Sequence, residues 1–450
     1  IWLARQLEVE EVGVIAYASF FVFLSSSLVD MGFAAALIQK DSISREHIES
    51  VFFVNLAIGI TLFAAILIWA DSLGLLLNEP MLSGVLQPLS AKFLFGAVAA
   101  VPMALLKRNM MFKEMAIINT LSLCVGTLVG VFIVMKGGGV WGLIAQQLLL
   151  GVMQAIGYMY VNGSSFNISF KYAALKELLQ FSVHSFSIRM IGAANQQGTN
   201  FIIGYLMGTA TLGVFSVANR IHQTLNLLLH EVVSQVLFPV FSSIQDDRKR
   251  ISSALFTINK GTGYLLFPIY LFLVISGQDM VITLVGDRWS ESGRVLSILA
   301  IGGLSTTIVY TTSTLIVSIG RPDVINYLNS LGTIGKLCVF SLFSYAGLAT
   351  ASIAWIVFLA VMFPIRMYYF KKVYDYEIGK YIHPFLKPLT LTFVSGMVTF
   401  LMLETFSFTE GLNRFLFSLL VFFAIYSILI VMLSKDDLSN GYKLVLNSKK

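Results

Sequence analysis

The densest pattern of chemically capable residues lies between 210 and 241. There Asn219, His222, Gln223, Asn226, His230 and Ser234 recur at spacings of three and four. On a helix that spacing stacks them along one face. Arg220 and Glu231 are eleven residues apart, about three turns, and share a neighbouring face. Such a stripe cannot face lipid, so it faces another helix or water. A hydrogen-bonded helix contact and a hydrated cavity wall are both open, and six polar groups exceed what one contact normally needs, which favours the wall. The stretch 179–206 repeats the theme: Arg189, Gln196 and Asn200 stand at i, i+7 and i+11, with His184, Asn195 and Gln197 nearby.

Charges in an apolar zone are costly unless they face a cavity or a partner. Arg189, Arg220, Lys260 and Lys336 are four cations in apolar surroundings in the second half of the chain, with few acids near them. They ask for an anionic guest, first of all a phosphate or pyrophosphate. Pairing with Asp30, Glu231 or helix C-termini is the alternative, and Lys336 could also snorkel if its helix ends a turn early. Asp30, Glu231, His222 and His230 are the candidates for a titrating or ion-binding role. Nothing points to catalysis: there is no HExxH, no phosphate-binding GxxxxGK[ST] loop, and no Cys/His spacing for a metal. No cofactor is expected, and the driving energy must come from an ion gradient or the membrane potential.

The elements that hold these residues are membrane helices. Of 450 residues 57% are apolar and only 12% charged, against about 25% charged in soluble domains. Runs of about 20 apolar residues predict complete spans near 12–35, 50–70, 88–106, 115–135, 140–161, 179–206, 210–241, 253–277, 292–319, 324–344, 346–369, 388–405 and 413–433. With a stub at the start, read as a first span cut short, that makes 14. Breaks are expected at 78–80, 137–139, Gly208, 320–322 and 384–388. One set of alternate connections carries 20 bases and the other six, which puts both termini in the cytoplasm. The formal net charge of +6 is scattered singly between apolar runs, a topology signal rather than a nucleic-acid-binding patch. Cys124 and Cys338 read as small core residues. No loop is long enough for a soluble domain; the linker 162–178 is either an interfacial helix or a plain tether.

The second half echoes the first about 200–210 residues on. Val12-Gly13-Val14 and Ala18 match Leu212-Gly213-Val214 and Ala218, Ile38-Gln39 matches Ile244-Gln245, and Asn55 and Gly59 match Asn259 and Gly263. Ser83-Gly84 falls opposite Ser292-Gly293, and Gly139-Val140 opposite Gly347-Leu348. A duplicated bundle with a cavity between its halves is a common transporter plan.

The segments LARQLEVEEVGVIAYA (3–18), LVDMGFAAALIQ (28–39), VFFVNLAIG (51–59), VPMALLKRNMMFK (101–113), GGGVWGLIAQQ (137–147), VLFPVFSSIQDD (236–247), VGDRW (285–289) and GRPD (320–323) resemble the polysaccharide transporter family. That family belongs to the multidrug/oligosaccharidyl-lipid/polysaccharide flippase superfamily, and the branch most similar exports colanic acid and lipopolysaccharide (O-antigen) repeat units. The resemblance runs in order from residue 1 to about 435. It implies an all-α membrane protein with two pseudo-symmetric six-helix lobes in a V shape, two extra C-terminal helices and a central cationic cavity. The lobes would be 1–161 and 179–370, joined by the linker 162–178 and followed by accessory spans in 371–433 and a cytoplasmic tail 434–450.

The implied task is to flip an undecaprenyl-pyrophosphate-linked oligosaccharide across a bacterial cell (inner) membrane by alternating access. Arg189, Arg220, Lys260 and Lys336 would cradle the pyrophosphate. Gln196, Asn200, Asn219, His222, Gln223, Asn226 and His230 would line the cavity, and Asp30 or Glu231 would serve coupling. The lipid-linked oligosaccharide and membrane lipid are the partners, and a polymerase and other polysaccharide-assembly proteins are those such a task would bring; nucleic acid is not. One departure is QGTNFIIG (197–204), which puts Thr199 where relatives carry an acid, so any coupling through that acid must use another group here. A lipid II flippase and a drug/cation antiporter of the same superfamily remain as alternatives. The antiporter would need an acid-rich first lobe. A membrane polysaccharide polymerase or glycosyltransferase would need a larger outer loop than 278–294.

Overall fold

The computed structural model describes residues 2–163, 169–245, 247–406 and 410–434, except the side chains at 184, 188, 189, 231–233, 235 and 236. Among the described residues there are helices and turns and no strand. The helices are α1 (Trp2–Gln6), α2 (Val9–Asp30), α3 (Phe33–Gln39), α4 (Arg45–Leu76), α5 (Pro80–Leu89), α6 (Ala91–Arg108), α7 (Phe112–Met135) and α8 (Val140–Asn162). Then come α9 (Tyr172–Asn226), a π turn (Leu227–Glu231), α10 (Val232–Ser243), α11 (Arg248–Val285) and α12 (Ser290–Ser318). The last four are α13 (Pro322–Phe343), α14 (Leu348–Tyr374), α15 (Ile378–Thr405) and α16 (Leu412–Leu433). Among the described residues eleven helical stretches are long and apolar enough to cross a membrane. Lipid offers no hydrogen bonds to a backbone, so apolar segments of this length satisfy themselves as helices. The protein is a multi-pass membrane protein.

The chain forms two compact units, one of Gln6–Gly213 and one of Val214–Lys450 with Ile1–Arg5. The division falls inside α9, just beyond Gly208, whose φ of 82° and ψ of 170° interrupt the helix at the expected break. Two expectations need correction, and a third is refined. The span 12–35 is not continuous: Met31 (φ 42°) and Gly32 (φ 80°) turn left-handed, and the Asp30 carboxylate accepts from the Ala34 backbone N–H at 2.8 Å to start α3. The region 384–388 is not a break, because α15 runs through both prolines. The Pro388 ring lies against Gly263, and Thr392 Oγ1 donates to the Pro388 carbonyl at 2.7 Å. The linker 162–178 is partly helical, since α9 begins at Tyr172; residues 164–168 of it lie outside the described residues, as do 435–450 of the tail.

Polar contacts in the first unit gather at helix ends. Glu177 on α9 bonds Lys40 Nζ at 2.7 Å and His47 Nε2 at 3.1 Å. The hydrogen bond from Lys40, then that from His47, holds this carboxyl below the usual carboxylate range. Lys171 pairs with Glu46, and its backbone N–H donates to Ser50 Oγ at 2.9 Å. Arg108 at the end of α6 donates to the Leu37 carbonyl at 2.8 Å and the Asp41 carbonyl at 2.7 Å. Such groups cap carbonyls that α3 leaves unpaired.

The two glycines matched in the internal repeat meet each other. A methyl group on Gly13 would overlap the Thr209 carbonyl and come within 3.0 Å of the Gly213 nitrogen. One on Gly213 would overlap the Val9 carbonyl. Thr209 precedes Gly213 by four residues, as Val9 precedes Gly13, so the contact is reciprocal. Only glycine permits backbones this close. Replacing Gly13 by Ala is therefore expected to cost about 1–3 kcal/mol by overpacking. Gly84→Ala, with nothing within 4 Å of the added methyl, should be neutral or stabilising by up to about 1 kcal/mol. Thermal midpoints of the purified variants check this, and equal midpoints for the two would contradict it.

Candidate functional site: a lysine-bearing cavity

The second unit contains a cavity of about 170 Å³ walled by four helices. From α9 come Phe215, Asn219, His222 and Gln223; from α12, Leu299, Gly302 and Thr306. Lys336 and Phe340 come from α13, and Trp355 and Leu359 from α14. Each set repeats at three or four residues, the spacing of one helical face. Small residues draw the walls together. A methyl on Gly335, next to Lys336, would overlap the Phe358 ring, and one on Gly302 would stand 3.0 Å from Ile356 and 3.1 Å from Leu359. The rings of Phe215 and Phe340 close one side at 5.5 Å, edge to face.

Lys336 Nζ stands 5.8 Å from the centroid of the Trp355 ring. Among the described residues no Asp or Glu lines the cavity. A cation–π contact contributes about 0.5–2 kcal/mol, whereas taking an ammonium out of water costs several kcal/mol on the order-of-magnitude scale for buried ions. The ring alone does not offset that cost. The amides of Asn219 and Gln223 and the imidazole of His222, whose Nδ1 is buried without a hydrogen-bond partner, line the same cavity.

A second polar cluster adjoins on the same face of the helix. The Tyr270 hydroxyl donates to Asn226 Oδ1 at 2.5 Å and lies 3.0 Å from His230 Nε2. The His230 ring packs on Tyr310 at 4.7 Å and on Tyr270 at 6.0 Å, and the His222 ring is 6.4 Å from Tyr270. The π turn at Leu227–Glu231 falls between Asn226 and the end of this cluster; such one-turn widenings occur often at functional sites. Gly303 faces the Tyr270 ring, and a methyl there would overlap it.

Several sequence candidates lie elsewhere. Arg220 is exposed. Lys260 Nζ sits 5.7 Å over the Phe256 ring on its own helix, α11. Gln196, exposed, and Asn200, whose amide donates to Gln197 Oε1 at 2.8 Å, belong to the first unit. Asp30 is buried with its carboxylate on the start of α3. The side chains of Arg189 and Glu231 are outside the described residues. Among the described cations Lys336 alone lines this cavity. Cys124 and Cys338 are exposed, contrary to the core placement expected: a membrane helix turns apolar residues outward as well as inward, as with exposed Leu121, Leu123 and Val125 beside Cys124. Tyr270, Thr306 and Trp355 escaped the sequence reading because each is one more hydroxyl or ring in an apolar run.

The profile of the family described as "polysaccharide biosynthesis protein" matches residues 2–294. The chain belongs to this family. Its family relatives include the succinoglycan biosynthesis transport protein ExoT of Rhizobium meliloti (strain 1021), 28% identical over 66% of this chain and 60% of ExoT. The teichuronic acid biosynthesis protein TuaB of Bacillus subtilis (strain 168) is 23% identical over 83% of this chain and 78% of its own. The lipopolysaccharide biosynthesis protein WzxC of Escherichia coli (strain K12) is 22% identical over 72% of this chain and 66% of WzxC. The chain thus spans less than two thirds of the length of ExoT and WzxC. In fold it is similar to the lipid II flippase MurJ in an inward closed conformation, with a TM-score of 0.76 over 96% of both chains at 16% identity. It is also similar to an inward-facing multidrug resistance MATE transporter, with a TM-score of 0.62 over 83% of this chain and 93% of that one at 15% identity.

Within this family member, Tyr270→Phe leaves the Asn226 carbonyl oxygen without its donor and His230 Nε2 without the hydroxyl oxygen it faces. The expected loss is about 1–3 kcal/mol, read as a lower thermal midpoint. An unchanged midpoint would contradict the bonding described.

Proposed function

We propose that this protein is a flippase that carries lipid-linked oligosaccharide repeat units, joined to undecaprenyl pyrophosphate, across a bacterial inner membrane for exopolysaccharide or lipopolysaccharide synthesis. What carries the reading is membership of the polysaccharide biosynthesis family over residues 2–294 in a chain whose apolar helices enclose a lysine-bearing polar cavity. The names of its relatives, which concern succinoglycan, teichuronic acid and lipopolysaccharide biosynthesis, support a polysaccharide precursor as cargo. The protein acts as a transporter rather than an enzyme.

Transport proceeds by alternating access, with rocking of two six-helix lobes about a fixed site. Dividing α9 at Gly208 and adding α13 to the eleven long helices gives thirteen crossings among the described residues, which supports the fourteen-span plan. The excess of bases on alternate connections sets both termini in the cytoplasm. Arg189, Arg220, Lys260 and Lys336 meet the acidic headgroup, the polar side chains of the stripe meet sugars, and the prenyl tail stays in lipid. Partners are the lipid-linked substrate and the polymerase that uses it on the far side.

Deleting the gene should leave lipid-linked repeat units on the cytoplasmic face. Arg189→Ala and Arg220→Ala should each reduce export by at least about tenfold, the scale of one lost charge-assisted hydrogen bond, at normal protein level in the membrane. Full export by both variants would overturn the role given to these arginines.

A further inference from the structure

We infer that His230 is a proton-binding site of the second unit, and that a proton taken there releases the polar face of α9 from α11 and α12. What the release drives rests on the transport reading; the binding of the proton does not. A count of hydrogens carries the first step. The Tyr270 hydroxyl has one proton and gives it to Asn226 Oδ1 at 2.5 Å. Its oxygen also lies 3.0 Å from His230 Nε2, so that contact needs a proton from the ring, and Nε2–H donates. A neutral imidazole carries one N–H. Nδ1 is therefore a bare lone pair, and it is buried with no hydrogen-bond partner among the described residues. The residue as a whole is 4% exposed. A buried acceptor left unmet is uncommon and asks for a reason.

A second proton can enter at Nδ1 without displacing another, and it makes the ring an imidazolium. The packing suits that form poorly. The rings of Tyr310 of α12, 4.7 Å away, and Tyr270 of α11, 6.0 Å away, attract a cation weakly, but no described carboxylate accepts from Nδ1. His222, about two turns earlier on α9, lies within electrostatic reach of both His230 and Lys336 of α13, so the charge that reaches this face from α13 has the same sign. The helix α10 carries no titratable residue outside its masked side chains, and the Glu231 side chain is outside the described residues. The neutral ring thus fits this packing, and the protonated ring fits one in which Nδ1 meets water or an acid. Acid therefore depopulates the packing described, and alkali restores it. The π turn Leu227–Glu231 includes His230 and gives the change a place to start, because such a turn is one residue wider than the helix around it and can relax. His222 fits the role less well: its Nδ1 is also buried and unpartnered, but its ring lines the lysine-bearing cavity, where a second positive charge is opposed.

The test uses the full chain in phosphatidylcholine nanodiscs, from about pH 8 down to about pH 4, a range that spans the ordinary histidine midpoint. Nitrogen NMR of isotope-labelled imidazoles distinguishes the tautomers and counts ring protons. Amide hydrogen exchange across 210–241, corrected for the intrinsic pH dependence of exchange, reads the packing. At the alkaline end His230 should show the Nε2–H tautomer. As pH falls its Nδ1 should take a proton, and exchange across 221–241 should quicken by up to about tenfold per pH unit, the slope of one linked proton. His230→Gln should remove that response, whereas His383→Gln, at an exposed position of α15, should keep it. An Nδ1–H tautomer, a ring that stays neutral down to about pH 4, protonation without faster exchange, or an undiminished response in His230→Gln each overturns the site. Should His230→Gln fail to fold, the wild-type tautomer, titration and exchange decide alone, with replacements of the other histidines assigning the rings. Export is not read, so a failure here leaves the transport reading to its own assay.

Discussion

A lysine ammonium within an apolar helix bundle needs solvation that lipid cannot give, and the second unit is arranged around that need. Lys336 is brought to the cavity by α13, whose preceding residue, Gly335, lets the helix press on Phe358 of α14. Trp355 of α14 then lies under the ammonium, and the amides of α9 line the same cavity. Without the glycine the helices would part, the ring would leave the charge, and the cavity would open. The charge thus determines which side chains face inward, and close packing determines whether they can reach it.

The same dependence on close approach appears at the matched positions of the two halves. Gly13 and Gly213 occupy matching places in the two repeats and lie against each other's helices. Their neighbours diverged further on. Asn259 is fully buried, receives a hydrogen bond from Thr311 at 2.8 Å, and donates to the Tyr381 carbonyl at 3.3 Å. Its repeat mate Asn55 is equally buried, with neither side-chain polar atom partnered. Thr311 of α12 and Tyr381 of α15 supply these partners to Asn259. Matched glycines make matching backbone contacts, whereas the matched asparagines have different side-chain partners.

Much of the helical plan was legible in the sequence, because a run of 20 apolar residues admits few alternatives in lipid. The break at Gly208 was legible for the same reason that glycine is there, a backbone conformation other residues avoid. The stripe on α9 was legible as a face, since helical periodicity alone puts Asn219, His222 and Gln223 together. Its companions were not. Trp355 and Lys336 are nineteen residues apart on different helices, and only packing joins them. Tyr270 looked like any aromatic in a membrane run until its hydroxyl met Asn226 and His230. The prolines of α15 misled because local propensity favours a stop there, while Gly263 offers a seat for the Pro388 ring that keeps the helix whole. Three of the four bases looked alike on paper, yet Arg220 is exposed, Lys260 lies on its own helix's Phe256, and Lys336 lines a cavity.

The central claim is that positive charge held among these helices reads an acidic link between lipid and sugar. It is tested most directly by reconstituting the protein into liposomes with two substrates carrying the same saccharide and prenyl chain, one joined through pyrophosphate and one through an uncharged ether. Translocation of the pyrophosphate-linked lipid, with the ether-linked lipid left behind, is the expected result. Equal transfer of both would contradict the claim.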